Sequence, residues 1–205
     1  AVQALKVVGP PDYSGDINIT VSARAAESGV DASPYASGNF KVSLTAVAEA
    51  PTLSVSNITD AVEDAAKDLN PSITMAAVDA DGSDEIISVQ ITGLSFSSNG
   101  ATLQAAIVDS SGNSVGIPDG SGGVTLTKAQ FDAGIKLQPP ENYFTPADGD
   151  GIALGVTVTT RDGTSTASAT ETINVKFAAV SEEPVVSISG DLTGLEFTNS
   201  GVDGS

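Results

Sequence analysis

Seven residues hold the densest chemistry in this chain: Asp79-Ala80-Asp81-Gly82-Ser83-Asp84-Glu85, directly after an apolar run. Alternate residues of an extended chain point the same way, so Asp79 and Asp81 can converge on one ion. Gly82 permits a tight turn that returns Asp84 or Glu85 toward them. Clustered carboxylates are hard oxygen donors and suit Ca²⁺, which takes roughly six to eight oxygens at about 2.3–2.6 Å. The spacing is not that of an EF-hand, because the loop's later glycine is missing and position 90 is Gln rather than Glu. The alternative is a plain solvated acidic turn.

Other acids flank the prolines. Glu49 and Glu182 each stand two residues before one, at Pro51 and Pro184, and the pair Glu63-Asp64 begins twelve residues after Pro51. Counting twelve from Pro184 lands on Glu196, so the acid keeps its offset. Such linker and pole carboxylates are expected to close a calcium site between neighbouring domains, and calcium there would stiffen the joint. Asp162-Gly163 reads first as a hairpin turn whose carboxylate can join an ion at the same pole. Asp148-Gly-Asp150-Gly repeats the D-x-D-G spacing, with a plain turn as the equal alternative.

Catalytic constellations are poor. The chain has no His and no Cys, which excludes Ser-His-Asp and Cys-His sites, disulfides and thiolate metal sites. Three Tyr and no Trp argue against an aromatic-lined carbohydrate cleft around a carboxylate pair. No glycine-rich phosphate loop stands between a strand and a helix. The chain is therefore read as a non-enzyme. Its net charge of −18 would repel nucleic acid and anionic membranes. No apolar run is long enough to span a bilayer, so no membrane insertion by this segment is expected. The sequons Asn18-Ile-Thr20 and Asn57-Ile-Thr59 are attributed to chance in a Thr-rich chain.

The elements that must hold these acids are strands. Gly, Ser, Thr and Val recur in short alternating runs broken by turn residues, the pattern of an all-β sandwich or barrel. Strands are expected at Leu5–Val8, Asp16–Ala23, Asn39–Ala46, Thr52–Ser56, Ser72–Val78, Ile86–Thr92, Ala101–Val108, Gly123–Leu126, Ile135–Gln138, Ile152–Thr160 and Ala167–Phe177. Ile87, Val89 and Ile91 should face inward, as should Leu154, Val156, Val158, Ile173, Val175 and Phe177. Thr127 and Gln130 form a capping box for one short helical turn that Phe131 anchors and Gly134 ends.

The chain also repeats itself. Val7-Val8-Gly9-Pro10-Pro11-Asp12-Tyr13, followed by Ile17-Asn-Ile19-Thr-Val21, returns as Leu137-Gln-Pro-Pro-Glu-Asn-Tyr143 followed by Leu154-Gly-Val156-Thr-Val158. Pro51-Thr-Leu-Ser-Val-Ser returns as Pro184-Val-Val-Ser-Ile-Ser. Repetition of this kind marks an array. Three pieces result: residues 1–50 as the C-terminal half of a sandwich (possibly a split domain), 51–180 as a complete unit, and 181–205 as the first strand or strands of a further one. The array is expected to be cut in mid-repeat at both ends. Strand exchange between chains, head to tail, would complete a half-unit.

The linker Ala46-Val-Ala-Glu-Ala-Pro51, the Glu63-Asp64 pair, the D-A-D-G-S-D-E turn, L-T-K-A-Q-F and P-P-E-N-Y occur in an order that resembles the cadherin-like or immunoglobulin-like repeats of giant bacterial RTX-type adhesins. The resemblance covers nearly the whole chain. It implies immunoglobulin/cadherin-like Greek-key β-sandwiches in tandem, stiffened by Ca²⁺ on the bacterial cell surface and serving attachment or biofilm formation. It assigns calcium roles to Glu49, Glu63, Asp79, Asp81, Glu85 and Glu182. The glycine-rich nonapeptide repeats of such proteins are absent. The long loops at Glu27–Gly38 and Asn142–Gly151 leave a second reading open: a calcium-dependent sugar or peptide site around Tyr35 or Tyr143. The partners implied are neighbouring repeats of the same polypeptide and an extracellular glycan or protein.

Overall fold

A computed structural model describes residues 6–79, 81–181, 183 and 184. The chain is mostly β and sandwich-like. Its strands are β1 (Gly15–Ala23), β2 (Ala36–Leu44), β3 (Thr52–Val55), β4 (Ile58–Val62), β5 (Lys67–Asp68), β6 (Ile73–Ala76), β7 (Glu85–Thr92), β8 (Ser95–Ser98), β9 (Ala101–Gln104) and β10 (Ala106–Val108). There follow β11 (Ile117–Pro118), β12 (Val124–Leu126), a five-residue helix α1 (Lys128–Asp132), β13 (Lys136–Gln138), β14 (Ile152–Asp162) and β15 (Ser165–Ala178).

The main sheet has six strands in the order β11-β12-β7-β14-β15-β4. All neighbours in it are antiparallel except β15 and β4, which run parallel with Ile58 opposite Val175 and Ala61 opposite Phe177. A three-stranded sheet β10-β13-β5 and the ribbon β3-β6 supply further layers. One apolar cluster joins them: Val89, Ile91, Leu154, Val156, Ile173, Val175 and Phe177 of the main sheet pack with Leu69, Ile73, Ile107 and Leu137. Burying each such side chain contributes about 1.5–3 kcal/mol.

The long hairpin β14–β15 is the spine. Alternation puts Ile152, Leu154, Val156 and Val158 inside at 0–1 % exposure, and the same phase carries on through Thr160 and Asp162. The inward face thus ends in a hydroxyl and a carboxylate at one pole.

Most expected strands exist, with shifted ends. Lys6–Val8 has no regular structure, and β2 begins and ends earlier than Asn39–Ala46. The expected Ala101–Val108 strand divides at Ala105, whose N–H bonds Leu94. Ile87 does not share the inward phase of Val89 and Ile91. A bulge sets Thr159 opposite Ser88 and Thr160 opposite Ile86, so Ile86 packs on the core instead. The capping box at Thr127 is present in both directions, Phe131 is 5 % exposed, and Gly134 follows with φ +96°.

The hairpin β1–β2 stands apart from these sheets and pairs only with itself among the described residues. The further unit expected from residue 181 lies outside the described residues, apart from positions 181, 183 and 184.

Candidate metal centre

The acidic turn after β6 is built by its first residue. Asp79 Oδ1 accepts the Asp81 N–H at 3.2 Å, while its Oδ2 accepts the Asp84 N–H at 2.8 Å and the Ser83 hydroxyl at 3.1 Å. Gly82, at φ +80°, makes the reversal. These donors, the Asp84 amide first, hold the Asp79 carboxyl down at about 2. Asp81 sits exposed and accepts the Ser83 N–H at 3.0 Å. Asp79 and Asp81 therefore cap their own turn.

The incoming linker crosses the same pole. Ala48 N–H donates to Ser165 Oγ at 3.0 Å, Glu49 N–H donates to Asp84 Oδ2 at 2.9 Å, and Thr160 Oγ1 donates to the Glu49 carbonyl at 2.5 Å. Three separate parts of the unit thus clasp two consecutive linker residues. Gly163, in the β14–β15 turn, comes so near that a Cβ there would lie 3.1 Å from the Ala46 methyl.

Two carboxylate oxygens at this pole are shielded from water and have no hydrogen-bond partner: Asp84 Oδ1 and Asp162 Oδ2. Asp162 is 6 % exposed. A buried anionic oxygen without a donor is costly, and natural structures rarely leave one. The Glu49 carboxyl is pushed up from its ordinary value, first by desolvation and then by the charges of Asp12, Asp84, Asp79 and Asp162.

Asp12 did not figure among the sequence candidates. It lies in the Pro-Pro-Asp-Tyr turn with φ +58°, and Asn142 holds the matching place in Pro-Pro-Glu-Asn-Tyr with φ +56°. Asp12 and Glu49 both line a cleft of about 430 Å³ with Gly9, Tyr13, Leu44 and Val47. The repeated Pro-Pro turn was the available signal, although its second copy carries Asn142 in the place of Asp12.

The remaining candidates lie elsewhere or are engaged. Glu85 is ion-paired with Arg161. Glu63 and Asp64 sit at the other end of β15: Glu63 Oε1 accepts the Val180 N–H at 2.5 Å, and Asp64 Oδ1 accepts the Asn142 N–H at 2.6 Å. Glu63 therefore clasps the outgoing chain as Asp84 clasps the incoming one, while Asp64 caps the Pro-Pro-Glu-Asn-Tyr turn. Glu182 lies outside the described residues. Asp162 does close a two-residue hairpin turn, over Gly163 and Thr164, while reaching the pole. Among the described residues no group of three or more acids is drawn closely enough together to hold a metal ion.

Two further acidic loops copy the Asp79 turn. Asp109 accepts the Ser111 and Asn113 N–H groups, and Asp119 accepts those of Ser121 and Gly123, which lowers both carboxyls. Of the aromatics considered for a ligand site, Tyr143 is 7 % exposed and packs edge-on between Phe96 and Phe177. Tyr35 is exposed and stacked under Arg24. No helix among the described residues is long and apolar enough to cross a membrane.

The chain matches no protein-family model and no curated protein.

Proposed function

We propose that this chain is a calcium-stiffened extracellular β-sandwich module of a large bacterial surface adhesin, working by reach and stiffness in attachment or biofilm formation. The observation that carries the reading is the pair of shielded, unpartnered oxygens, Asp84 Oδ1 and Asp162 Oδ2, at the pole that clasps the Ala48–Glu49 linker. The donor set is all hard oxygen, as Ca²⁺ prefers. Glu49 feels the like charges of Asp12, Asp84, Asp79 and Asp162 there, and a divalent cation would relieve that repulsion. The acids share a pole rather than a finished cage, so the ion's role would be to draw the linker and the pole together.

Such an ion would bind the ordered joint and not the separated one, and so would stabilise the order by mass action. Differential scanning calorimetry with calcium or chelator is the test. A melting temperature that rises with Ca²⁺ in the parent chain, and much less in Asp162→Asn, is the expected outcome. An unchanged melting temperature at millimolar Ca²⁺ would sink the proposal.

A further inference from the structure

A cleft of about 410 Å³ opens between β8 and the loop that enters β14. Ala153 lies on its wall and Asp162 at the linker pole, nine residues further along β14, or about 30 Å at the usual strand rise. The volume falls within the ~300–1,000 Å³ of small-ligand sites. Both walls are fixed before any ligand arrives. Gly93, at φ +81°, lies so close to β14 that a Cβ would stand 2.2 Å from the Ala153 carbonyl oxygen, and Gly151, at φ +85°, meets the Val175 carbonyl in the same way. Thr145 ties the loop to β15 twice: its N–H donates to the Phe177 carbonyl and its Oγ1 accepts the Phe177 N–H, each at 2.9 Å. Gly149 N–H then closes a turn on the Pro146 carbonyl at 2.8 Å.

The cleft presents unspent polar groups beside aromatic rings. Tyr143, 7 % exposed, has its ring wedged between Phe96 and Phe177. Its hydroxyl bonds nothing among the described residues and is not one of the two oxygens shielded from water, so it is the open tip of a buried side chain. Tyrosines so deeply buried usually find a partner for that group. Asp150 caps no turn, unlike Asp79, Asp109 and Asp119, and the side chains of Ser98 and Asn99 likewise have no hydrogen-bond partner among the described residues. An apolar ligand would strip water from the Tyr143 hydroxyl and the Asp150 carboxylate and return no hydrogen bond. An anion would meet Asp150 with no Lys or Arg on the cleft wall. A neutral polyol answers the whole set. Its hydroxyls donate to Asp150 and pair with Ser98, Asn99 and Tyr143, while the C–H face of a pyranose ring lies against half-buried Phe96.

We propose that this cleft binds one or two neutral sugar residues of a glycan, without calcium. Asp150 is the one acid on its wall. A lone carboxylate falls short of the pair that glycoside hydrolysis uses and of the oxygen cage that calcium needs, so the sugar is held directly and not cleaved.

The inference rests on the cleft and not on the calcium reading, and the two fail separately because binding is measured in chelator. The parent chain is applied to an array of neutral glycans, acidic glycans and extended peptides, and the glycans that bind are titrated by calorimetry. The expected result is binding confined to neutral glycans and equal in Ca²⁺ and in chelator. Asp150→Asn should lose about tenfold in affinity, as charge-assisted bonds are removed, and Tyr143→Phe, which keeps the ring packing, about threefold. Asp148→Asn, off the cleft wall, should bind as the parent does. Circular dichroism and the melting temperature are the folding controls for each variant. A blank array overturns the inference. So does binding confined to acidic glycans or to peptides, binding that chelator abolishes, or neutral-glycan affinity that Asp150→Asn and Tyr143→Phe leave unchanged.

Discussion

The hairpins β1–β2 and β14–β15 are two versions of one sequence pattern with different fates. In the first, Ile17 pairs with Val42 and Ile19 with Phe40; in the second, Ile152 pairs with Val175 and Leu154 with Ile173. By this pairing Ile17 corresponds to Ile152, two residues earlier than the Leu154 that matches it in residue order. Each hairpin is preceded by the same turn, with Tyr13 N–H on the Pro10 carbonyl and Tyr143 N–H on that of Pro140. Yet Tyr13 is 37 % exposed where Tyr143 is 7 % exposed, and Leu44 is half-open where Phe177 is sealed. Turn and ladder form from local sequence and pairing. Burial depends on whether another layer is there to receive the face.

Truncating the apolar face should separate the two hairpins most. Phe177→Ala should destabilise the chain by about 3–5 kcal/mol, as buried aromatics do, and the matching Leu44→Ala by less than about 1 kcal/mol, within the range of surface changes. Urea denaturation of dilute protein reads both, and equal losses would mean that β1–β2 belongs to the same cooperative core. The calcium increment comes next, at about 2.7 kcal/mol for a hundredfold excess over Kd. Asp162→Asn should forfeit most of it, whereas Asp64→Asn at the far pole should leave the linker joint's share intact. An Asp64→Asn effect as large as that of Asp162→Asn would locate the ion at the outgoing joint instead.

Acid should act on the two sides of the linker joint with opposite signs. Asp79 titrates at about 2 when folded against 3.8 ordinarily, so its stabilisation is present above pH 3.8 and is lost as pH falls toward 2. Glu49 is raised above 4.5, so its relief is complete below that pH and is lost as pH rises through the folded value. In chelator, Asp79→Asn should flatten the acid limb of a melting-temperature profile, and Glu49→Gln should raise the neutral plateau. A profile unmoved by either would mean that the pole charges do not interact. A modest effect is expected at α1, which Thr127 caps. Thr127→Ala should cost about 1 kcal/mol, measurable by the same urea titration and unaffected by calcium.

Much of the candidate centre was legible in residue order. The D-A-D-G-S-D-E turn announces itself because its bonds span at most five residues, and Glu49 stands out beside its proline. Three things were not legible. Asp12 belongs with Glu49 only because the first hairpin docks its turn beside the linker. Glu63 and Asp64, close to Asp79 in sequence, lie at the opposite pole because β4 runs parallel to β15. Tyr143 looked like a loop aromatic until Phe96 and Phe177 enclosed it.

By itself, the sequence determined what depends on near neighbours: alternating strands, the capping box at Thr127, the self-capped acidic turn and the repeated Pro-Pro turn. Tertiary structure decided what depends on distant pairing. One bulge at Thr159 and Thr160 replaced Ile87 with Ile86 on the core. The inward phase of β14, set by its neighbours β7 and β15, carried Asp162 out of solvent. Strand period alone cannot choose which face turns inward, because both faces alternate equally well and only the packed layer distinguishes them.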